Sequence, residues 1–179
     1  MTKKAGDNNG PTQSYPTGSP FELKPIDFRK HSNICVSFRT DSFICSFGNA
    51  QAFLGPDNTG ADRYMRWLQG KSNELAGSCA HLWYGARIIG QMELGLIHDF
   101  SPSGYIYLIY LIREYRQRGL GTKLLQHAES LFEKWGTARA RLRVSPTNIP
   151  AIAMYKKNGW SQTGTEPDAD HLLTLEKEL

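Results

Sequence analysis

Between Tyr105 and Leu125 an apolar run, a pair of glycines and a helical repeat follow one another with no linker. Tyr105–Ile112 is apolar or aromatic at every position, the pattern of a strand covered on both faces. From Leu120 the spacing turns helical: Leu120, Leu124, Leu125, Ala128, Leu131, Phe132 and Trp135 recur at three- and four-residue steps until Gly136. Arg139–Ser145 then alternates Arg with Ala, Leu and Val, a strand with one wet face. This strand–helix–strand crossover over 105–145 restricts the chain to folds that mix α and β.

The flanking segments supply the rest. Phe21, Leu23 and Pro25 alternate with polar residues as a first strand. Ser32–Phe47 reads as a helix capped by Ser32 or Asn33, Gly55–Gly60 as a loop, and Ala61–Leu75 as a helix with Tyr64, Trp67 and Leu68 on one face. Cys79–Tyr84 and Arg87–His98 flank Gly85-Ala86 as a hairpin. In its second strand Ile88, Met92, Leu94 and Leu96 share one face, Gln91 and Glu93 the other. Ser101-Pro102-Ser103-Gly104 signals a turn. Asn148 caps a further helix with Pro150 in its first turn, Gly159 stops it, and Trp160–Thr165 and His171–Leu175 close as strands. Residues 1–20 are rich in Gly, Pro, Ser and Thr, and read as a flexible tail ahead of a single domain over 21–179.

With 40% hydrophobic and 21% charged residues in a chain of 179, wholesale disorder is excluded. No apolar run approaches the roughly 20 residues of a bilayer span and no signal peptide opens the chain, so the expectation is a cytoplasmic protein with no membrane partner. Cys35, Cys45 and Cys79 are scattered as reduced core thiols would be, and no metal-ligand spacing occurs, so no metal is expected.

The net charge of +4 is unevenly spread: Arg113–Arg143 holds eight Lys and Arg against three acids, a net of +5. Inside this stretch Gly119 and Gly121 permit backbone conformations that a Cβ penalises. The free N–H groups of a helix start favour an anion, and Arg116 and Arg118 add positive charge. Physically this is a diphosphate cradle; the plainer alternative is a tight strand-to-helix turn with solvated arginines. The P-loop spacing is absent, and the dinucleotide fingerprint fails at Leu124.

Arg116-Gln117-Arg118-Gly119-Leu120-Gly121 resembles the Arg/Gln-x-x-Gly-x-Gly/Ala signature of the GNAT superfamily of acetyl-CoA-dependent N-acetyltransferases. Asn148-x-x-Ala151-x-x-x-Tyr155-x-x-x-Gly159-Trp160 is similar to that family's second motif, where the aromatic is more often Phe. Ile88–Glu93, after a short turn, is similar to its central hairpin. The resemblance covers residues 21–175. It implies an α/β (α+β) fold with a mixed, mostly antiparallel central sheet, flanked by helices and split at an acetyl-CoA cleft. Main-chain groups of Ile109, Tyr110 and Leu111 would pair with the pantetheine arm like an added strand. Amides of Arg116, Gln117, Arg118, Gly119, Leu120, Gly121 and Thr122 would hold the pyrophosphate. Asn148 would contact the pantetheine region, and Tyr155 would sit near the sulfur.

The resemblance also implies direct attack of a neutral primary amine on the thioester in a ternary complex. A backbone N–H near Leu111 would stabilise the oxyanion, and Tyr155 would protonate the leaving thiolate. No covalent enzyme intermediate is needed, and no cysteine lies near a motif. Several family members carry a Glu on the strand before the phosphate loop, but Tyr105–Ile112 has no carboxylate. Glu93 on the neighbouring strand is the substitute base, acting through water; the alternative is a charged residue on a partly exposed strand face. Tyr155 also fits a core position in line with Ala151, and Asn148 a cap alone. Arg139, Arg141 and Arg143 fit a solvent-exposed strand face. Tyr105, Tyr107 and Tyr110 either line the acceptor pocket or pack as buried tyrosines with satisfied hydroxyls.

The acceptor, a small-molecule or peptide amine, stays open, its site built mainly by residues 27–75. A non-catalytic acyl-CoA-binding or sensor module of the same fold is the alternative function. No nucleic-acid motif accompanies the basic stretch, so no nucleic-acid partner is expected. The resemblance leaves a homodimer open.

Overall fold

The computed structural model describes residues 20–98, 102–164 and 172–179. The tail over 1–19, and Thr165 and His171 of the closing strands, lie outside them. In chain order the elements are β1 (Phe21–Pro25), α1 (Phe28–Phe47), α2 (Gln51–Leu54), α3 (Gly60–Glu74), β2 (Cys79–Tyr84), β3 (Arg87–His98) and β4 (Pro102–Leu111). A 3-10 turn at Arg113–Tyr115 leads to α4 (Leu120–Lys134), β5 (Arg139–Val144), α5 (Ile149–Lys157), β6 (Ser161–Gly164) and β7 (Leu173–Glu178). The strands form one sheet in the order β1-β2-β3-β4-β5-β7-β6. Every neighbouring pair is antiparallel except β4 and β5, which are joined through the α4 crossover.

Helix α1 starts at Phe28, ahead of the predicted Ser32, because Asp27 caps it rather than Ser32 or Asn33. The Asp27 carboxylate accepts from the amides of Arg29 at 3.1 Å and Lys30 at 3.3 Å. The Ser32 hydroxyl instead donates back to the Phe28 carbonyl.

Of the turn signal at 101–104, Ser101 lies outside the described residues and the rest resolves differently. Pro102, Ser103 and Gly104 belong to β4 and pair with His98, Ile97 and Leu96. Glycine is needed at 104 for packing: a Cβ there would sit 2.4 Å from the Phe132 ring of α4.

One face of the sheet packs Met92, Leu94, Ile106 and Leu142 against Leu124, Ala128 and Phe132 of α4. The other carries α1 and α3, with Phe38 against Leu108 and Tyr110, and Cys35 in a cluster with Tyr64 and Leu68. A bulge shifts the β2–β3 register between Leu82 and Trp83. Ile88 therefore leaves the face of Met92 and Leu94 and packs with Phe38, Leu108 and Tyr110, while Ile89 takes its place. Gln91 and Glu93 do share a face, but that face is covered and both side chains are fully buried.

Cys35 and Cys79 are buried, and burial pushes both thiols up to about 12. Cys45 is exposed rather than part of the core. On β5, Arg139 and Arg143 are exposed and Arg141 is half-buried, the wet strand face expected. The Nε atoms of Arg139 and Arg141 lie 2.9 Å and 2.7 Å from Glu178 and Glu176, their cross-strand neighbours on β7. Among the described residues no helix is long and apolar enough to cross a membrane.

Candidate active site

β4 and β5 run together through Gly104↔Ala140, Tyr105↔Arg141 and Ile106↔Leu142, and then part. β4 continues to Leu111, paired with β3 on its other side from Leu108 onward, so Leu108–Leu111 presents an open edge toward the split. Antiparallel alternation decides which main-chain groups face it. The Ile112 amide donates to the Ile89 carbonyl at 2.9 Å. The Tyr110 carbonyl also points at β3, 2.6 Å from where a Cβ on Gly90 would stand. Ile109 and Leu111 therefore turn their main-chain groups into the split. Tyr110 does not; it contributes its side chain, whose Oη donates to Asp41 Oδ2 at 2.7 Å.

Beyond Leu111 the chain turns through Gln117 at φ 60° and Gly119 at φ 76°, both left-handed. Gly119 caps α4 without a side-chain bond to the first amides, and nothing lies within 4 Å of where its Cβ would be. The α4 amides have no intrahelical acceptor there, and the helix dipole reinforces their pull on an anion. Gly121 answers a different need: a Cβ would meet Met154 Sδ of α5 at 2.7 Å. Asn158 Nδ2 also donates to Thr122 Oγ1 at 3.4 Å. These contacts dock α5, which carries the second motif, on the first turn of α4.

The sequence sets Arg116 beside the phosphate, with a solvated arginine as the alternative. In the structure its guanidinium is tied down. Nε donates to the Leu111 carbonyl at 2.8 Å, Nη2 to Asp41 Oδ2 at 2.9 Å and Nη1 to Cys45 Sγ at 3.3 Å. It also lies over the Tyr110 ring. Arg116 thus braces α1 against the end of β4, and Cys45 sits beside the first motif, contrary to the sequence reading. Partial burial would raise the Asp41 carboxyl, but the Tyr110 hydroxyl and the Arg116 guanidinium hold it below its ordinary value. Arg118 stays exposed next to Gly119, stacked over the Tyr115 ring at 5.3 Å.

Tyr155 is buried against Trp160, in the same core cluster as Leu111 and Leu120. Among the described residues its hydroxyl has no hydrogen-bond partner, and burial pushes its pKa up, so it stays protonated. Asn148 Oδ1 accepts from the Ala151 amide at 3.4 Å, the geometry of a cap. Next to it Thr147 Oγ1 donates to the Ser46 carbonyl at 2.8 Å, tying the β5–α5 loop to the end of α1.

Glu93 lies on the other side of β4, at the centre of a sealed network. Tyr64 Oη donates to it at 2.5 Å, Gln91 Nε2 at 2.7 Å and Arg39 Nη1 at 3.5 Å. Arg39 Nη1 also donates to the Tyr107 carbonyl at 3.0 Å. His81 Nε2 is 3.0 Å from Gln91 Oε1, and burial lowers this imidazole to about 4, so it is neutral. Sequence reasoning singles out neither Asp41, Arg39 nor His81. Above the network a cavity of about 300 Å³ opens between α1, α2 and α3, lined among others by Arg39, Phe43, Phe53, Arg63, Tyr64 and Trp67.

The Acetyltransferase (GNAT) family matches residues 42–160. An N-alpha-acetyltransferase of Sulfurisphaera tokodaii is 31% identical over 74 residues, 41% of this chain and 44% of that protein. A spermidine N(1)-acetyltransferase of Thermoplasma acidophilum is 32% identical over 79 residues, 44% of this chain and 47% of that protein. The chain thus spans less than half the length of these curated relatives. The PaiA N-acetyltransferase of Thermoplasma acidophilum, solved with coenzyme A, has the same fold at 18% identity. Its TM-score is 0.69, covering 89% of this chain and 99% of that one. The split sheet, the motif at the start of α4 and the matched span agree: the chain belongs to the acetyltransferase (GNAT) family.

Proposed function

We propose that this chain is an acetyl-CoA-dependent N-acetyltransferase that moves an acetyl group to a primary amine of a small molecule or peptide by direct attack in a ternary complex. One observation carries the reading. The open β4 edge at Ile109 and Leu111 leads into a helix start at Gly119 whose first amides no side chain caps, which suits a strand-like arm with an anionic head. The residues present fit the cosubstrate, since a side chain at 119 would occupy empty space in the cradle.

Acetyl-CoA supplies the activated acyl group. Ile109 and Leu111 orient it through main-chain groups, and amides of Gln117–Thr122 with the Arg118 charge hold the diphosphate. Arg116 fixes the Leu111 carbonyl, which holds the Leu111 N–H toward the split where negative charge develops. Tyr155, kept protonated by burial, returns a proton to the leaving sulfur. Glu93 is closed off by Tyr64 and Arg39, so it takes the amine proton only through Tyr64 Oη or a water.

That closure favours one second reading, a non-catalytic acyl-CoA-binding module. Release of free CoA thiol from acetyl-CoA across a panel of amines, read beside calorimetric acetyl-CoA binding, separates them. Binding without thiol release for any amine would leave the module.

A further inference from the structure

The cavity between α1, α2 and α3 abuts the sheet where it opens. Tyr107 is the first β4 residue past the last β4–β5 pair, Ile106↔Leu142. Two residues lining the cavity touch it: Arg39 Nη1 bonds its carbonyl at 3.0 Å, and Trp67 meets its ring edge-on at 4.9 Å. The walls are mainly aromatic. Phe43 and Phe53 are 5.4 Å apart, Phe53 and Tyr64 5.5 Å, and Tyr64 stacks with Trp67 at 6.2 Å.

The charges matter as much as the rings. Among the described residues no acidic side chain lines the cavity. Glu93 beneath it is fully buried and already faces Arg39, and Asp57 lies 3.6 Å from Arg63. Aromatic walls attract cations, but here the Arg39 guanidinium itself lies over Phe43 at 5.6 Å and Tyr64 at 5.7 Å. A second ammonium on a substrate would meet two guanidiniums and, among the described residues, no free carboxylate.

We infer that this cavity is the acceptor subsite, and that it takes a primary monoamine bearing a large uncharged apolar or aromatic group and rejects polyamines. The inference rests on the N-acetyltransferase reading. The apolar group packs among Phe43, Phe53 and Trp67, and its amine points past Tyr107 toward the split. A free arylalkylamine and a peptide beginning with an aromatic residue share this chemistry.

The test compares 2-phenylethylamine, a C-terminally amidated tetrapeptide beginning with Phe, and spermidine, by thiol release from acetyl-CoA. At least one aromatic amine is expected to exceed spermidine at least tenfold in kcat/KM, and the better of the two identifies the source. Ala52→Trp adds an indole to the cavity wall. It is expected to raise the KM of the preferred amine about tenfold, with the calorimetric Kd for acetyl-CoA unchanged. Spermidine equal to or better than both aromatic amines, or an unchanged amine KM in a folded Ala52→Trp, overturns the cavity assignment and leaves the acetyltransferase reading intact. Failure of the wild-type chain to bind acetyl-CoA overturns both.

Discussion

Arg116 and Asp41, 75 residues apart in the chain, meet at 2.9 Å across the junction of α1 with the end of β4. Both side chains are partly exposed, at 36% and 44%, so the pair adds at most about 1 kcal/mol to stability. Its effect is positional, because the same guanidinium holds the Leu111 carbonyl. Asp41→Asn should raise the KM for acetyl-CoA roughly three- to tenfold, the scale of about 1 kcal/mol, with less change in kcat. Steady-state kinetics check this; an unchanged KM would show that Arg116 holds its place without Asp41.

His81 makes stability depend on pH. Its folded pKa is about 4 against an ordinary 6.5, so between these values the unfolded chain binds more protons and stability rises with pH. The contribution is complete above the unfolded pKa and is lost as pH falls from 6.5 toward 4, on the order of 3 kcal/mol for a fully buried ring. Urea denaturation of His81→Asn across that window should give a flatter profile than wild type. A parallel profile would remove His81 as the cause.

Tyr155→Phe separates catalysis from packing. The hydroxyl bonds nothing among the described residues, so melting temperature should hardly move. Turnover should fall about a hundredfold, the lower range for general acid–base catalysis, with acetyl-CoA affinity kept. Equal kcat in both forms would contradict the proton-donor role.

Gly119 and Gly121 should respond differently. Gly119→Ala meets no atom but must hold φ 76°, a strain of about 1–2 kcal/mol, and Gly119→Asp adds a negative charge to the cradle. Calorimetry should find acetyl-CoA binding weakened by the first and abolished by the second. Gly121→Ala should act through Met154, loosening α5 from α4 and lowering the melting temperature.

Gly104→Ala tests the packing of β4 on α4. A Cβ would overlap the Phe132 ring, fully buried and unable to yield without moving the helix. A destabilisation of about 1–3 kcal/mol is expected in urea titrations.

The hairpin around Gly85-Ala86, the Asn148 cap and the glycines of the α4 start are legible in sequence because each is a local backbone requirement. The start of α1 is not. Asp27-Phe28-Arg29-Lys30 has no apolar periodicity, and only the carboxylate-to-amide bonds reveal the cap. Nor is the Glu93 network, in which the side chains bonded directly to Glu93 come from α1, α3 and β3, up to 54 residues away. Gln91 and Glu93 read singly as a polar face; what hides them is α3 laying Tyr64 over them. The role of Arg116 is similarly non-local, since Asp41 and Cys45 have no motif of their own.

Among the described residues, three residue pairs between β4 and β5 join β5, β7 and β6 to the other four strands. The sheet is mechanically two leaves sewn together at one end, with raw main-chain edges along the opening. The amides of such a seam should exchange faster than those of the long β3–β4 ladder. A ligand that bonds the β4 edge supplies the missing stitches, so protection at Ile109 and Leu111 would rise on binding. Occupancy becomes part of how the sheet is held shut.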